Sequence, residues 1–255
     1  VITSPNCNVL YVDEKTCVTG ALQALVVWNL KTGQLLQRFQ EENALETITC
    51  LAQSPANELV IAAGYSNGAV RVWDLIGKRC LMTLTSHTKA INRLTFDKSG
   101  ATLASASDDT DVVVWDVASE TGLFKLNAHK APVTDVVLLN KSNHLISCSK
   151  DTFIKIWDLD TQHCVQTLIG HRNEVWSIAV DSEENRLYAG SSDTLLRVWD
   201  IEPLHNSAAV RREVAPDVDS ALAAPSDTHD DAGTLALIGA AEQAQREAGE
   251  AGGVD

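Results

Sequence analysis

The stretch HTKAINRLTFDKSGATLASASDDTDVVVWDV (residues 87–117) holds one histidine, three short apolar runs parted by turn-forming residues, and a Trp-Asp pair near its end. The runs AINRLTF (90–96), TLASAS (102–107) and DVVVWDV (111–117) are too short for helices and favour strands, while DKSG and SDDT between them are turn sequences. The same arrangement returns 42 residues later: His129, Ser147, Asp151 and Trp157 stand at the offsets of His87, Ser105, Asp109 and Trp115. Tryptophans close similar runs at Trp28, Trp73, Trp115, Trp157 and Trp199, spaced 45, 42, 42 and 42 residues apart. His171 precedes Trp199 by the same 28 residues that separate His87 from Trp115.

A fourth apolar segment follows each tryptophan in the first four units: QLLQRF, RCLMTL, LFKLN and HCVQTL. Four short antiparallel strands in about 42 residues make one blade of a β-propeller. The expected fold is therefore all-β, an incomplete propeller of about five four-stranded blades over residues 1–202, since a seven-bladed ring needs about 290 residues. Blade one shows no obvious first strand, and the fourth strand of blade five is expected on LHNSAAV (204–210). Residues 203–255 carry ten acidic and three basic side chains and no aromatic residue, so they are expected to form a disordered acidic tail.

A serine, a histidine and an aspartate recurring together invite comparison with a catalytic triad. Repetition argues against it, because an active site is needed once and a structural device in every blade. The repeats resemble the WD-repeat family, in which such residues form a buried relay from the turn aspartate through histidine and strand hydroxyl to the indole. That resemblance implies relays of His87, Ser105, Asp109 and Trp115 and of His129, Ser147, Asp151 and Trp157. Blade five keeps His171, Asp193 and Trp199 but has Ala189 in place of the hydroxyl. Blade two keeps Trp73, with Asn67 at the aspartate position, and blade one retains only Trp28, with Leu22 there.

The net charge of −14 is half contributed by the tail. The repeating region is itself acidic and has no run of five Lys or Arg, which disfavours an extended phosphate-binding stripe. Six cysteines without CxxC or zinc spacing read as reduced and mostly core residues of a cytosolic or nuclear protein. No apolar run approaches the ~18 residues of a membrane span. The chain opens on Val1 with neither a basic start nor a long apolar core, so no signal peptide is expected. GYSNG (64–68) is a turn rather than a phosphate loop. No metal, cofactor, small-molecule substrate or catalytic residue is expected.

WDLDTQHCVQTLIGHRNEVW (157–176), AAGYSNGAVRVWDL (62–75) and TGLFKLNAHKAPVT (121–134), with the stretch quoted first, resemble the first propeller of the tandem-propeller WD-repeat subunits of the UTP-B subcomplex. That subcomplex belongs to the nucleolar small-subunit processome, which matures the ribosomal RNA precursor. The resemblance spans residues 20–201 and implies a nuclear, nucleolar scaffold without enzymatic activity. Its implied partners are other WD-repeat and processome proteins, with small nucleolar RNA and precursor RNA contacted indirectly or weakly. A substrate receptor or signalling scaffold that holds a peptide is the alternative use of the same repeat. Candidate contact residues lie on the loops that carry the histidines and on the turns before the relay aspartates: Lys89, Asn92 and Asp108 in blade three, Lys130, Thr134 and Lys150 in blade four, and Arg172, Glu174 and Trp176 in blade five. Trp176 leads them, because aromatic residues and arginine dominate interface hot spots.

Overall fold

The computed structural model of the chain describes residues 4, 7–40, 45–127 and 129–201, together with the backbone of 211–213. They form five antiparallel sheets of four strands, each in chain order. Blade one consists of β1 (Val9–Asp13), β2 (Thr16–Ala21), β3 (Ala24–Asn29) and β4 (Leu35–Phe39). Blade two follows with β5 (Ile48–Gln53), β6 (Val60–Tyr65), β7 (Ala69–Asp74) and β8 (Arg79–Thr85), and blade three with β9 (Ile91–Phe96), β10 (Thr102–Ser107), β11 (Val112–Asp116) and β12 (Thr121–Leu126). Blade four comprises β13 (Val133–Leu138), β14 (His144–Ser149), β15 (Ile154–Asp158) and β16 (His163–Leu168). Blade five comprises β17 (Val175–Val180), β18 (Arg186–Ser191), β19 (Leu196–Asp200) and β20 (Arg211–Glu213).

Two expectations need correction. Blade one does have a first strand: Val9 pairs with Thr19 and Leu10 with Val18, and the Asp13 carboxylate closes the hairpin by accepting from the Lys15 and Thr16 N–H groups at 2.6 and 2.8 Å. The fourth strand of blade five is Arg211–Glu213, pairing Val198 with Glu213 and Asp200 with Arg211, so the sheet takes in residues beyond 202. The segment 204–210, like the rest of 203–255, lies outside the described residues.

The core lies between neighbouring sheets. In blades one to four, second and third strands rich in Val, Ile and Ala are largely buried on both faces, and the third-strand tryptophan of every sheet is 8% exposed or less. Packing between blades leaves no room for a side chain at some positions. A Cβ on Gly64 would come within 2.8 Å of Ile91 in the next blade, and one on Gly20 within 2.7 Å of Ile48. At Gly190, the same position in blade five, a Cβ would meet nothing within 4 Å.

The inner strands β5, β9, β13 and β17 share a bulge near their start, at Thr49, Asn92, Thr134 and Trp176. A bulged residue has no partner in its own ladder, and its side chain is aimed elsewhere. Here three of the four reach the next blade: Thr49 Oγ1 donates to the Ile91 carbonyl, Asn92 Nδ2 to that of Val133 at 2.7 Å, and Thr134 Oγ1 to that of Val175 at 2.6 Å.

Candidate functional site

Blades three and four carry the same relay. His87 Nδ1 lies 3.0 Å from both Asp109 oxygens, His87 Nε2 2.8 Å from Ser105 Oγ, and Trp115 Nε1 donates to that oxygen at 2.8 Å. In blade four the corresponding distances are 3.1 and 2.9 Å for His129 to Asp151, 2.9 Å for His129 to Ser147 and 3.0 Å for Trp157 to Ser147. Burial pushes the His87 pKa down by more than Asp109 raises it, favouring the neutral ring. The carboxylate must accept, so Nδ1 carries the proton, and Nε2 then accepts from the Ser105 hydroxyl. Burial pushes the Asp109 carboxyl up, but the Thr88 N–H and the His87 ring outweigh it and hold its pKa below the usual range. The same balance, struck by His129 and the Lys130 N–H, lowers Asp151.

Each aspartate also fixes the turn it sits in. Asp109 accepts from the Asp111 N–H and Asp151 from that of Phe153, across Thr110 and Thr152 with φ of 78° and 74°. Positive φ is uncommon for a β-branched residue, so these turns are held under local strain.

Blade five is built differently. Arg197 Nη1 donates to Asp193 Oδ2 at 2.6 Å and to His171 Nδ1 at 2.8 Å, pushing histidine and aspartate to 3.4 Å. His171 therefore offers a lone pair at Nδ1, the reverse of the donor role argued for His87 Nδ1 in blade three. Burial raises the Asp193 carboxyl, but the Arg172 and Leu195 N–H groups and the Arg197 guanidinium together pull it far below the carboxylate range. Two further substitutes were missed in the sequence. Trp28 donates to Thr19 Oγ1 at 2.9 Å, so blade one has a hydroxyl after all, and Trp73 donates to the Tyr65 phenol at 3.3 Å, under a guanidinium from Arg71 that lies 4.5 Å over the ring. A signal was present: Arg71 and Arg197 stand three repeats apart, and each pairs across strands with an alanine, Ala63 or Ala189, where other blades have a hydroxyl.

The loop candidates fall into two groups. Lys89, Lys130 and Arg172 are exposed, and Asp108, Lys150 and Glu174 are half-buried. Trp176 is 51% exposed, donates its N–H to Ser192 Oγ at 3.2 Å and has Lys150 Nζ 4.6 Å over its ring. Asn92 and Thr134 instead spend their polar groups on the neighbouring blade, and Asn92 also holds Asp108 at 2.7 Å.

Residues 15–201, with these relays and turns, match the family described as the WDR3 first beta-propeller domain. The chain belongs to that family. Among individual relatives of this WDR3-type propeller, the U3 small nucleolar RNA-associated protein 12 of Saccharomyces cerevisiae is 34% identical over 99 residues, covering 35% of this chain and 10% of that protein. Periodic tryptophan protein 2 of Arabidopsis thaliana is 31% identical over 91 residues, covering 36% and 10%. WD repeat and SOCS box-containing protein 1 of Xenopus tropicalis is 39% identical over 54 residues, covering 21% and 13%. The match thus spans about a tenth of the first two relatives' length.

The distances within each WDR3-type relay would suit a hydrolytic triad, but Ser105 and Ser147 are fully buried and already receive an indole N–H. No substrate can reach either oxygen without dismantling the blade. What the relay does chemically is hold the turn after the second strand against the loop before the first. Among the described residues no group of three or more His, Cys, Asp or Glu is placed to hold a metal, and no helix is long and apolar enough to cross a membrane.

Proposed function

We propose that this chain is a non-catalytic protein-interaction scaffold of the small-subunit processome, acting in the nucleolus in processing of the ribosomal RNA precursor. The match of residues 15–201 to the WDR3 first propeller carries this reading. It is supported by the similarity to a yeast protein named for its association with U3 small nucleolar RNA. Residues 1–202, with Arg211–Glu213 added as the last strand of blade five, are the scaffold proper, and the remainder of 203–255 is an accessory acidic tail. Partner proteins contact Trp176, with Lys150, Arg172 and Glu174 around it and Lys89, Lys130 and Asp108 along the adjoining loops. Asn92 and Thr134 serve the joints between blades. RNA contact is weak or indirect, because the few loop cations are set in an acidic chain.

Affinity purification of the tagged chain from growing cells tests this. Processome proteins should be recovered, together with precursor RNA that is lost after protein partners are stripped. Trp176→Ala and Arg172→Glu should lower the recovery without altering the melting temperature. Recovery of ubiquitin-ligase or signalling subunits instead would overturn the processome reading in favour of a substrate receptor.

A further inference from the structure

A second surface lies at the far end of the inner strands from the relay histidines. Between β1, β5 and β9 the chain leaves a cleft of about 380 Å³, floored in part by Leu10, Leu94 and Phe96, with Arg93 and Lys98 also lining it and Asn140 reaching in from the turn after β13. That volume lies within the roughly 300–1,000 Å³ of sites that enclose small ligands or a few side chains.

The cations of this cleft are arranged to act outward. Arg93 is tethered through its Nε, 3.2 Å from Asp135 Oδ1, while the side chain stays 49% exposed. Asp135 is itself buried and fixed, accepting from the Ser177 hydroxyl at 2.9 Å and from the Val136 and Ile178 N–H groups at 2.9 and 3.1 Å. One edge of the guanidinium is thus anchored and its two terminal nitrogens remain, a geometry suited to paired hydrogen bonds with a carboxylate. Lys98 is exposed, and its backbone N–H donates to Asn140 Oδ1 at 2.8 Å, which steadies the turn. Its ammonium is in no ion pair among the described residues. The one acid among the described lining residues, Asp97, is engaged by its own turn, accepting from the Thr102 N–H and the Ser99 hydroxyl.

We propose that this cleft binds an acidic peptide segment of a partner protein, with carboxylates on Arg93 and Lys98 and an apolar side chain against Leu10, Leu94 and Phe96. A nucleic-acid strand has charge as well, but it would meet repulsion from an acidic chain along its length and has no use for an apolar floor. A short peptide with two or three carboxylates meets little of that repulsion. The inference rests on the cleft alone and does not depend on which assembly holds the chain.

Fluorescence anisotropy on the full chain at physiological salt decides it, using a labelled octapeptide of Asp and Glu around a central Leu-Phe pair. The controls are the same peptide with Asn and Gln for Asp and Glu, and a uridine octanucleotide. The acidic peptide should bind at least about tenfold more tightly than the neutral one. Lys98→Glu, at an exposed position, should weaken it by about tenfold with an unchanged melting temperature, and Arg93→Gln should weaken it further. Should Arg93→Gln unsettle the fold by freeing Asp135, Lys98→Glu still decides. Equal affinity for charged and neutral peptides, or indifference to Lys98→Glu, overturns the proposal. Tighter binding of the octanucleotide with a steep salt dependence replaces it with a phosphate site.

Discussion

Blades three and four solve with a histidine and a strand hydroxyl what blade five solves with a buried arginine. In the first pair, Ser105 and Ser147 stand across the strand from Val113 and Lys155; in blade five, Ala189 stands across from Arg197. Blade one follows the hydroxyl pattern, with Thr19 opposite Val26, and blade two follows the arginine pattern, with Ala63 opposite Arg71. Every blade therefore has either a hydroxyl on the second strand or a guanidinium on the third. The difference shows that the family's four-residue signature is one of several ways to pair the buried polar groups of this layer: Trp28 on Thr19, Trp73 on Tyr65, and Arg197 on Asp193 and His171.

The largest effect expected from this contrast is on Asp151→Ala, which strips the His129 ring and the Lys130 and Phe153 N–H groups of one acceptor at once. Urea unfolding should show a loss of about 3 kcal/mol, and Asp109→Ala should behave alike. A variant matching wild type would mean that the relay is ornamental. Gly64→Ala comes next, at about 2 kcal/mol, because the new Cβ would overlap Cys50 Sγ at 2.6 Å and Ile91 at 2.8 Å. Gly190→Ala at the open position should change stability by less than about 0.5 kcal/mol, and equal costs at the two sites would show that blade five is packed like the others.

Exchangeability of the two devices can be measured directly. Arg197→Val alone should cost about 1 kcal/mol, leaving Asp193 without its guanidinium, and adding Ala189→Ser should recover most of that by restoring the hydroxyl pattern. Additive losses in this double-mutant cycle would show that blade five cannot accept the relay of blade three. The smallest effect is on pH dependence. Because burial lowers the His87 pKa in the folded state, the unfolded chain takes up that proton first as pH falls below the ordinary 6.5. Stability from this group is full above that value and declines as pH falls toward the lower folded value. The lowered carboxyls of Asp109 and Asp151 add a further loss only below about 3.8. Nuclear magnetic resonance titration of the His87 ring should give a midpoint below that of a free histidine, and a midpoint above it would reverse the sign.

How far the sequence could be read depended on where the signature sat. Blades three and four were legible down to individual hydrogen bonds because His, Ser, Asp and Trp recur there at fixed offsets. Val9–Asp13 was missed because blade one has no histidine to anchor the register of its first strand. Thr19 was missed because a two-residue turn between Ala21 and Ala24 shortens the distance from hydroxyl to tryptophan by one. Tyr65 reaches its indole from a different point on the strand, two positions nearer the turn, so no offset rule finds it. The cleft of Arg93, Lys98 and Asn140 was invisible for a topological reason. Leu10, the Arg93 and Lys98 pair, and Asn140 come from three different repeats and meet only when inner strands are set side by side.

The bulge shared by the inner strands separates two kinds of mechanical behaviour in one molecule. Within a blade, neighbouring strands are held by a ladder of backbone bonds that can break only together, so each sheet is stiff. Near the bulge, Thr49, Asn92 and Thr134 each join one blade to the next by a side chain that can swing about its own rotatable bonds. A pull between blades would therefore meet one side-chain bond at each of these joints together with the packed apolar contact of the two sheets, and a pull within a blade a whole backbone ladder. At three of these positions two hydroxyls and an amide give each joint its own bond to the next blade, while the indole of Trp176 at the fourth bonds Ser192 within its own blade.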